Sequence, residues 1–180
     1  MRRDPATPAS ASSFFTEVIA GPNALTVFRA SALLERAQAI EPSIAAISAR
    51  HVHVVSSTRE LDITEREHLS ALLDYGEPST PETHHSASTV VVVPRFGTVS
   101  PWSSKATDIA HRCGLDAIRR IERGTRCAIE TKGGLFGKKT LAAARGDAIV
   151  ALLFDRMTET ACDEPFDFAR LFHAEPAQPM

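Results

Sequence analysis

"IAAISARHVHVV", Ile44 to Val55, and "IRRIERGTRCAI", Ile118 to Ile129, decide the fold of this chain. Laid over one another they match at Ile44 with Ile118, Ile47 with Ile121 and Val55 with Ile129, always 74 residues apart (118 − 44). Each reads as a β-strand, and the second half of the first alternates apolar and polar residues as a half-buried strand does. The same offset sets Phe28 over Trp102 and Ala32 over Ala106 in the segments that precede them. The chain therefore reads as two copies of one α+β unit, which bury their sheets or helices against each other as a pseudo-dimer.

In the first copy, "SFFTEVIAG" (Ser13 to Gly21) reads as a strand stopped by Gly-Pro. "NALTVFRASALLERAQAI" (Asn23 to Ile40) reads as a helix with Asn23 as N-cap and an apolar stripe at the helical period. "DITEREHLSALLDYG" (Asp62 to Gly76) reads as a second helix, with Thr64 and Glu67 as a capping box and Gly76 at the C-cap. A polar linker at 77–88 leads to the second copy: the strand "TVVVV", a helix at "SSKATDIAHRCG", the strand of Ile118, the loop "KGGLFGKK" and a long final helix, "TLAAARGDAIVALLFDRMTE". The expected organisation is a disordered leader at 1–12, units at 13–76 and 89–160, and a tail at 161–180 carrying the short amphipathic piece "FDFARLF".

A chain of 180 residues buries enough surface to need no disulfide or metal staple. Its net charge of -2 argues against bulk binding to nucleic acid or anionic membranes. No apolar run approaches the roughly 20 residues of a membrane helix, and the leader lacks the apolar core of a secretory signal. Cys113, Cys127 and Cys162 have no framework spacing, so free thiols in a reducing, cytoplasmic compartment are expected.

The chemical candidates thin out quickly. His84-His85 lies in the linker without a cysteine or histidine at zinc spacing, so no metal site is expected. His111 and Cys113 are two apart on a helix and point to different faces. His51 and His53 share a strand face, as a surface pair does, and His68 and His173 have no visible partner. There is no nucleophile elbow, and Gly137-Lys138-Lys139-Thr140 misses the Walker pattern. "RRIERGTR" (Arg119 to Arg126) is basic but alternates like a half-buried strand with a solvated or partner-facing side. What remains is "PRFGTVSPWSSKATDIAHRCGL" (Pro94 to Leu115). Ser103 or Ser104 can cap the helix that starts there, and helix starts bind anions, which Lys105 would reinforce. Capping does not explain Trp102, which on a polar loop is an interface anchor. Trp102, Ser103, Ser104, Lys105 and Arg95 are the candidate interface or anion-binding residues, with no catalytic residue among them.

These residues also carry a resemblance. "VVVPRFGTVSPWSSKATDIAHRCGL", followed by "IRRIERG", is similar to the N-terminal domain of the large, single-chain phosphoribosylformylglycinamidine synthase. "ALTVFR", "LLDYG", "DRMTET" and the late "LF" extend the similarity from about Phe14 to the C-terminus. The resemblance implies a tandem, ferredoxin-like fusion of two units like the small PurS subunit, with antiparallel sheets and packed helices. It implies a non-catalytic assembly role against the synthetase and glutaminase domains, with Trp102, Ser103, Ser104 and Lys105 facing the synthetase. The family converts formylglycinamide ribonucleotide, glutamine and ATP, with magnesium, to the formylglycinamidine in purine synthesis. The ATP-binding core and glutaminase are absent from these residues, so no cofactor is expected in this chain. A partner surface also allows self-association of the isolated domain. The rival expectation is a stand-alone regulatory protein that binds a phosphate or ribonucleotide at the Ser/Lys helix start.

Overall fold

The computed structural model describes residues 14–76, 88–132 and 143–172. His84, His85, His173 and the glycine run after Lys132 lie outside the described residues. The elements run β1 (Phe15–Asn23), α1 (Val27–Ile40), β2 (Ile44–Ser57), α2 (Ile63–Leu73), β3 (Ser88–Pro94), α3 (Pro101–Arg112), β4 (Ile118–Thr131), α4 (Ala143–Val150) and β5 (Glu159–Asp163), with a 3-10 helix at Phe168–Phe172. All five strands belong to one antiparallel sheet in the order β1-β2-β4-β3-β5. The fold class is α+β, with helices packed on an antiparallel sheet, as the sequence led one to expect.

The two copies meet at the central strand pair. β2 and β4 are both 14 residues long, and Ile47 pairs with Ile129, His51 with Thr125 and Val55 with Ile121. His51 thus lies opposite its own counterpart in the second copy (125 − 51 = 74), and the local twofold axis of the sheet passes between them. The Oγ1 of Thr125 and Nδ1 of His51 approach to 3.5 Å there.

Alternation sorts the core into two faces. On one face, Ile47, Ala49, Cys127 and Ile129 pack under α1, α4 and the segment after it, and Val55, Ile118 and Ile121 pack under α2 and α3. On the other, Val52, Val54, Val91 and Val93 are covered by Phe168 and Leu171 of the 3-10 helix. The valines of β3 are buried at 90, 91, 92 and 93, so this strand has both faces covered.

Several boundaries differ from the sequence reading, each for a physical reason. β1 runs through Gly21-Pro22 because it is an edge strand, where proline costs no ladder bond, and its register shifts between Ala20 and Asn23. Asn23 is therefore still strand, and the N-cap of α1 is Thr26, whose Oγ1 accepts from the Arg29 N–H at 3.3 Å. The capping box of α2 is Asp62 with Glu65, not Thr64 with Glu67; Arg59 grips the Glu65 carboxylate with two bonds of 2.7 Å and holds it there. α2 ends at Leu73, three residues before Gly76. The long final helix is split: α4 stops at Val150, tight turns follow through Leu153, and Glu159–Asp163 becomes a strand on the far edge of β3. β3 needs a hydrogen-bond partner on its second edge, and β5 supplies it.

Candidate functional site at the α2–α3 cleft

Trp102 lies in the first turn of α3, Tyr75 just beyond α2, and His53 and Arg123 opposite one another on the central strands. The fold brings these four together. The His53 ring has no exposed surface. It stacks on Trp102 with centroids 5.5 Å apart and planes 23° apart, and meets Tyr75 edge-on, also at 5.5 Å. Its Nε2 lies 2.8 Å from the Tyr75 hydroxyl. Arg123 places its guanidinium 4.8 Å above the indole of Trp102 and donates to the Tyr75 oxygen at 3.3 Å. The packing behind His53 is tight: a Cβ on Gly21 would stand 2.5 Å from its Cε1. Its Nδ1 has no hydrogen-bond partner among the described residues.

Burial, and then the nearby charges of His51 and Arg123, push the His53 imidazole down to about 4. His51 is lowered by the same causes, burial first and Arg123 second, against a backbone hydrogen bond to Gly124 that raises it. A neutral His53 therefore sits under a permanent cation, which the indole face receives. A ring without accessible surface cannot meet a substrate, so His53 locks α3 and the α2 terminus onto the sheet. The sequence reading placed His51 and His53 as a surface pair. That is corrected for His53, because β2 is a central strand whose helix-side face is covered.

Trp102 is half-buried within the core below α3. Between α2 and α3 lies a cavity of about 180 Å³. Leu69, Leu73 and Ile121, all buried, make its floor, Trp102 and Tyr75 contribute aromatic walls, and the exposed Lys105 stands at its mouth. Of the five residues singled out from the sequence, Trp102 and Lys105 meet at this cavity. Ser103 is buried with an unpartnered Oγ, while Ser104 and Arg95 are exposed and do not line it.

The start of α3 is organised differently from the sequence reading. Its N-cap is Ser100, not Ser103 or Ser104: the Ser100 Oγ accepts from the Ser103 N–H at 3.0 Å. The same hydroxyl donates to Glu122 Oε2 at 2.8 Å, and the Ser100 N–H donates to Oε1 at 3.2 Å. Glu122 is fully buried and paired with Arg120, whose Nη2 also donates to the Thr98 carbonyl at 2.6 Å. A helix start favours an anion, and here the protein's own carboxylate takes that position. Glu122 escaped the sequence reading because "RRIERGTR" read as a strand with a solvated or partner-facing side. The acid flanked by arginines and isoleucines was the only available signal.

Two of the cysteines are poor nucleophiles: burial, reinforced by Glu159, pushes the Cys127 thiol up to about 12, and burial likewise raises Cys162. No cluster of three metal-ligating side chains occurs among the described residues, and none of their helices is long and apolar enough to cross a membrane.

The model of one protein family, described as formylglycinamide ribonucleotide amidotransferase N-terminal, matches residues 50–172, from the middle of β2 to the end of the 3-10 helix. The match contains His53, Tyr75, Trp102, Glu122 and Arg123, and it spans well over half of the chain. By that match, the chain belongs to the family of N-terminal domains of formylglycinamide ribonucleotide amidotransferase, the synthase of formylglycinamidine ribonucleotide.

Proposed function

We propose that this chain is a non-catalytic, PurS-like assembly domain of formylglycinamidine ribonucleotide synthase, working in the cytoplasm in purine synthesis. The observation that carries the reading is the family match over residues 50–172. The chemistry of the described side chains agrees with it: the central histidines are buried or held neutral, the buried thiols are raised, and Glu122 is committed to a helix cap. The surface agrees as well. On α1, Val27 and Phe28 are each 81% exposed, which is costly unless a neighbour covers them. Phe28 flanks a groove of about 390 Å³ between α1 and the segment after α4, where Arg29 and Arg36 add positive charge. In this reading the synthetase and glutaminase domains supply the ATP, magnesium and glutamine chemistry, and this domain aligns them.

The test uses the intact synthase with Phe28→Asp on this domain. Glutamine-dependent formation of the amidine should fall severalfold while ammonia-dependent formation, which needs no coupling, stays within about twofold. Unchanged coupling in that variant, together with ATP or glutamine turnover by the purified chain alone, refutes the assembly role. Saturable binding of inorganic phosphate to the chain would instead support the ribonucleotide-binding alternative.

A further inference from the structure

We propose that the α2–α3 cavity is a binding site for a small aryl carboxylate, with the ring between Trp102 and Tyr75 and the carboxylate at Lys105. The proposal is independent of the assembly role. The cavity exists because Ala106 and Ala110, one turn apart on α3, present methyl groups to the space facing α2, where longer side chains would close it. Its volume of about 180 Å³ is that of a site for one six-membered ring; an apolar cavity of roughly 150 Å³ in another protein takes up benzene. The lining is apolar at the buried end. The Tyr75 hydroxyl is already engaged by His53 and Arg123 and offers little to a ligand's inner end. A bound molecule must therefore keep its polar group at the mouth.

The sign of that group follows from the charges. Lys105 lines the cavity, is exposed, and makes no ion pair with a described residue. Arg123 adds a second cation behind the indole, 4.8 Å from its centroid. No carboxylate lines the cavity. An anionic aryl compound is matched at both ends, and an aryl amine is repelled.

Trp102 is the single tryptophan of the chain, so its emission reports directly on occupancy. The purified chain is titrated with phenylacetate, the neutral 2-phenylethanol and the cationic phenethylamine. Phenylacetate should give a saturable change with Kd on the order of a millimolar or below. It should bind roughly threefold to fivefold more tightly than the alcohol, a difference that Lys105→Gln removes while ring binding persists. Ala106→Leu should fill the cavity and abolish saturation, with the far-ultraviolet circular dichroism unchanged. Three outcomes each overturn the proposal: no saturable response to phenylacetate, equal binding of acid and amine, or binding that survives Ala106→Leu in a folded protein.

Discussion

Lowering the pH should destabilise this domain chiefly through one histidine. Free in the unfolded chain, the His53 imidazole protonates near 6.5; in the fold, burial and the adjacent Arg123 hold it at about 4. Between those values the unfolded state binds a proton that the folded state refuses, so stability rises with pH across this window and is lost as pH falls. The full difference amounts to roughly 3 kcal/mol at ~1.4 kcal/mol per pH unit, of which about 2.5 kcal/mol is gone by pH 4.5. Against a typical domain stability of about 5–15 kcal/mol that is a large share. His51 acts with the same sign and adds to the total. Glu65, held at about 2 by the Arg59 hydrogen bonds, also loses its contribution as pH falls, but only from about 4.5 downward, at the acid end of the window, and equally in the wild type and the variant below. The assay is urea unfolding followed by Trp102 emission at pH 7.5, 6.5, 5.5 and 4.5, in the wild type and in His53→Phe. The midpoint of the wild type should fall by about 1 M urea over this range, for a slope near 2 kcal/mol per molar. The variant, with a ring but no titrating nitrogen, should lose far less. Parallel loss in the two proteins, or a His53 resonance titrating near 6.5, refutes the reasoning.

Gly21→Ala should destabilise the fold by about 1–3 kcal/mol, because the new methyl meets the immobile His53 ring at 2.5 Å; a urea midpoint equal to the wild type's would show that the ring can move. Ser100→Ala removes both the α3 cap and a donor to the buried Glu122 carboxylate, and should cost about 2 kcal/mol. Ser104→Ala, on the exposed side of the same turn, should stay within about 0.5 kcal/mol in the same denaturation series. Cys127 should resist alkylation by iodoacetamide at pH 8 in the folded protein and react once unfolded, as mass spectrometry of the labelled chain would show.

Much of the architecture was legible in the residues. The isoleucines of the two copies, 74 apart, predict two equivalent long strands, and β2 and β4 are both 14 residues long; their pairing and register were set by the tertiary structure. The apolar stripe of α1, the capping signals of α2 and the valine run of β3 are local patterns, legible along the chain. Of the motif around Trp102, the fold brings Trp102 and Lys105 to the α2–α3 cavity and leaves Ser104 and Arg95 away from it. What a local pattern cannot carry is the identity of the neighbour across space. Thr64-x-x-Glu67 and Asp62-x-x-Glu65 both fit a capping box, and Arg59 decides between them. Glu159–Asp163 reads as helix and tail until the open edge of β3 claims it. His53 and Glu122 look like surface residues on alternating strands, yet they are the most deeply buried titratable groups here. Periodicity and turn residues, both encoded along the chain, marked β1 to β4 and the first three helices. The burial of charge, the stacking of His53 on Trp102 and the carboxylate at the start of α3 depend on contacts 22 to 49 residues apart in sequence (122 − 100 and 102 − 53), and only the assembled sheet and its helices decided them.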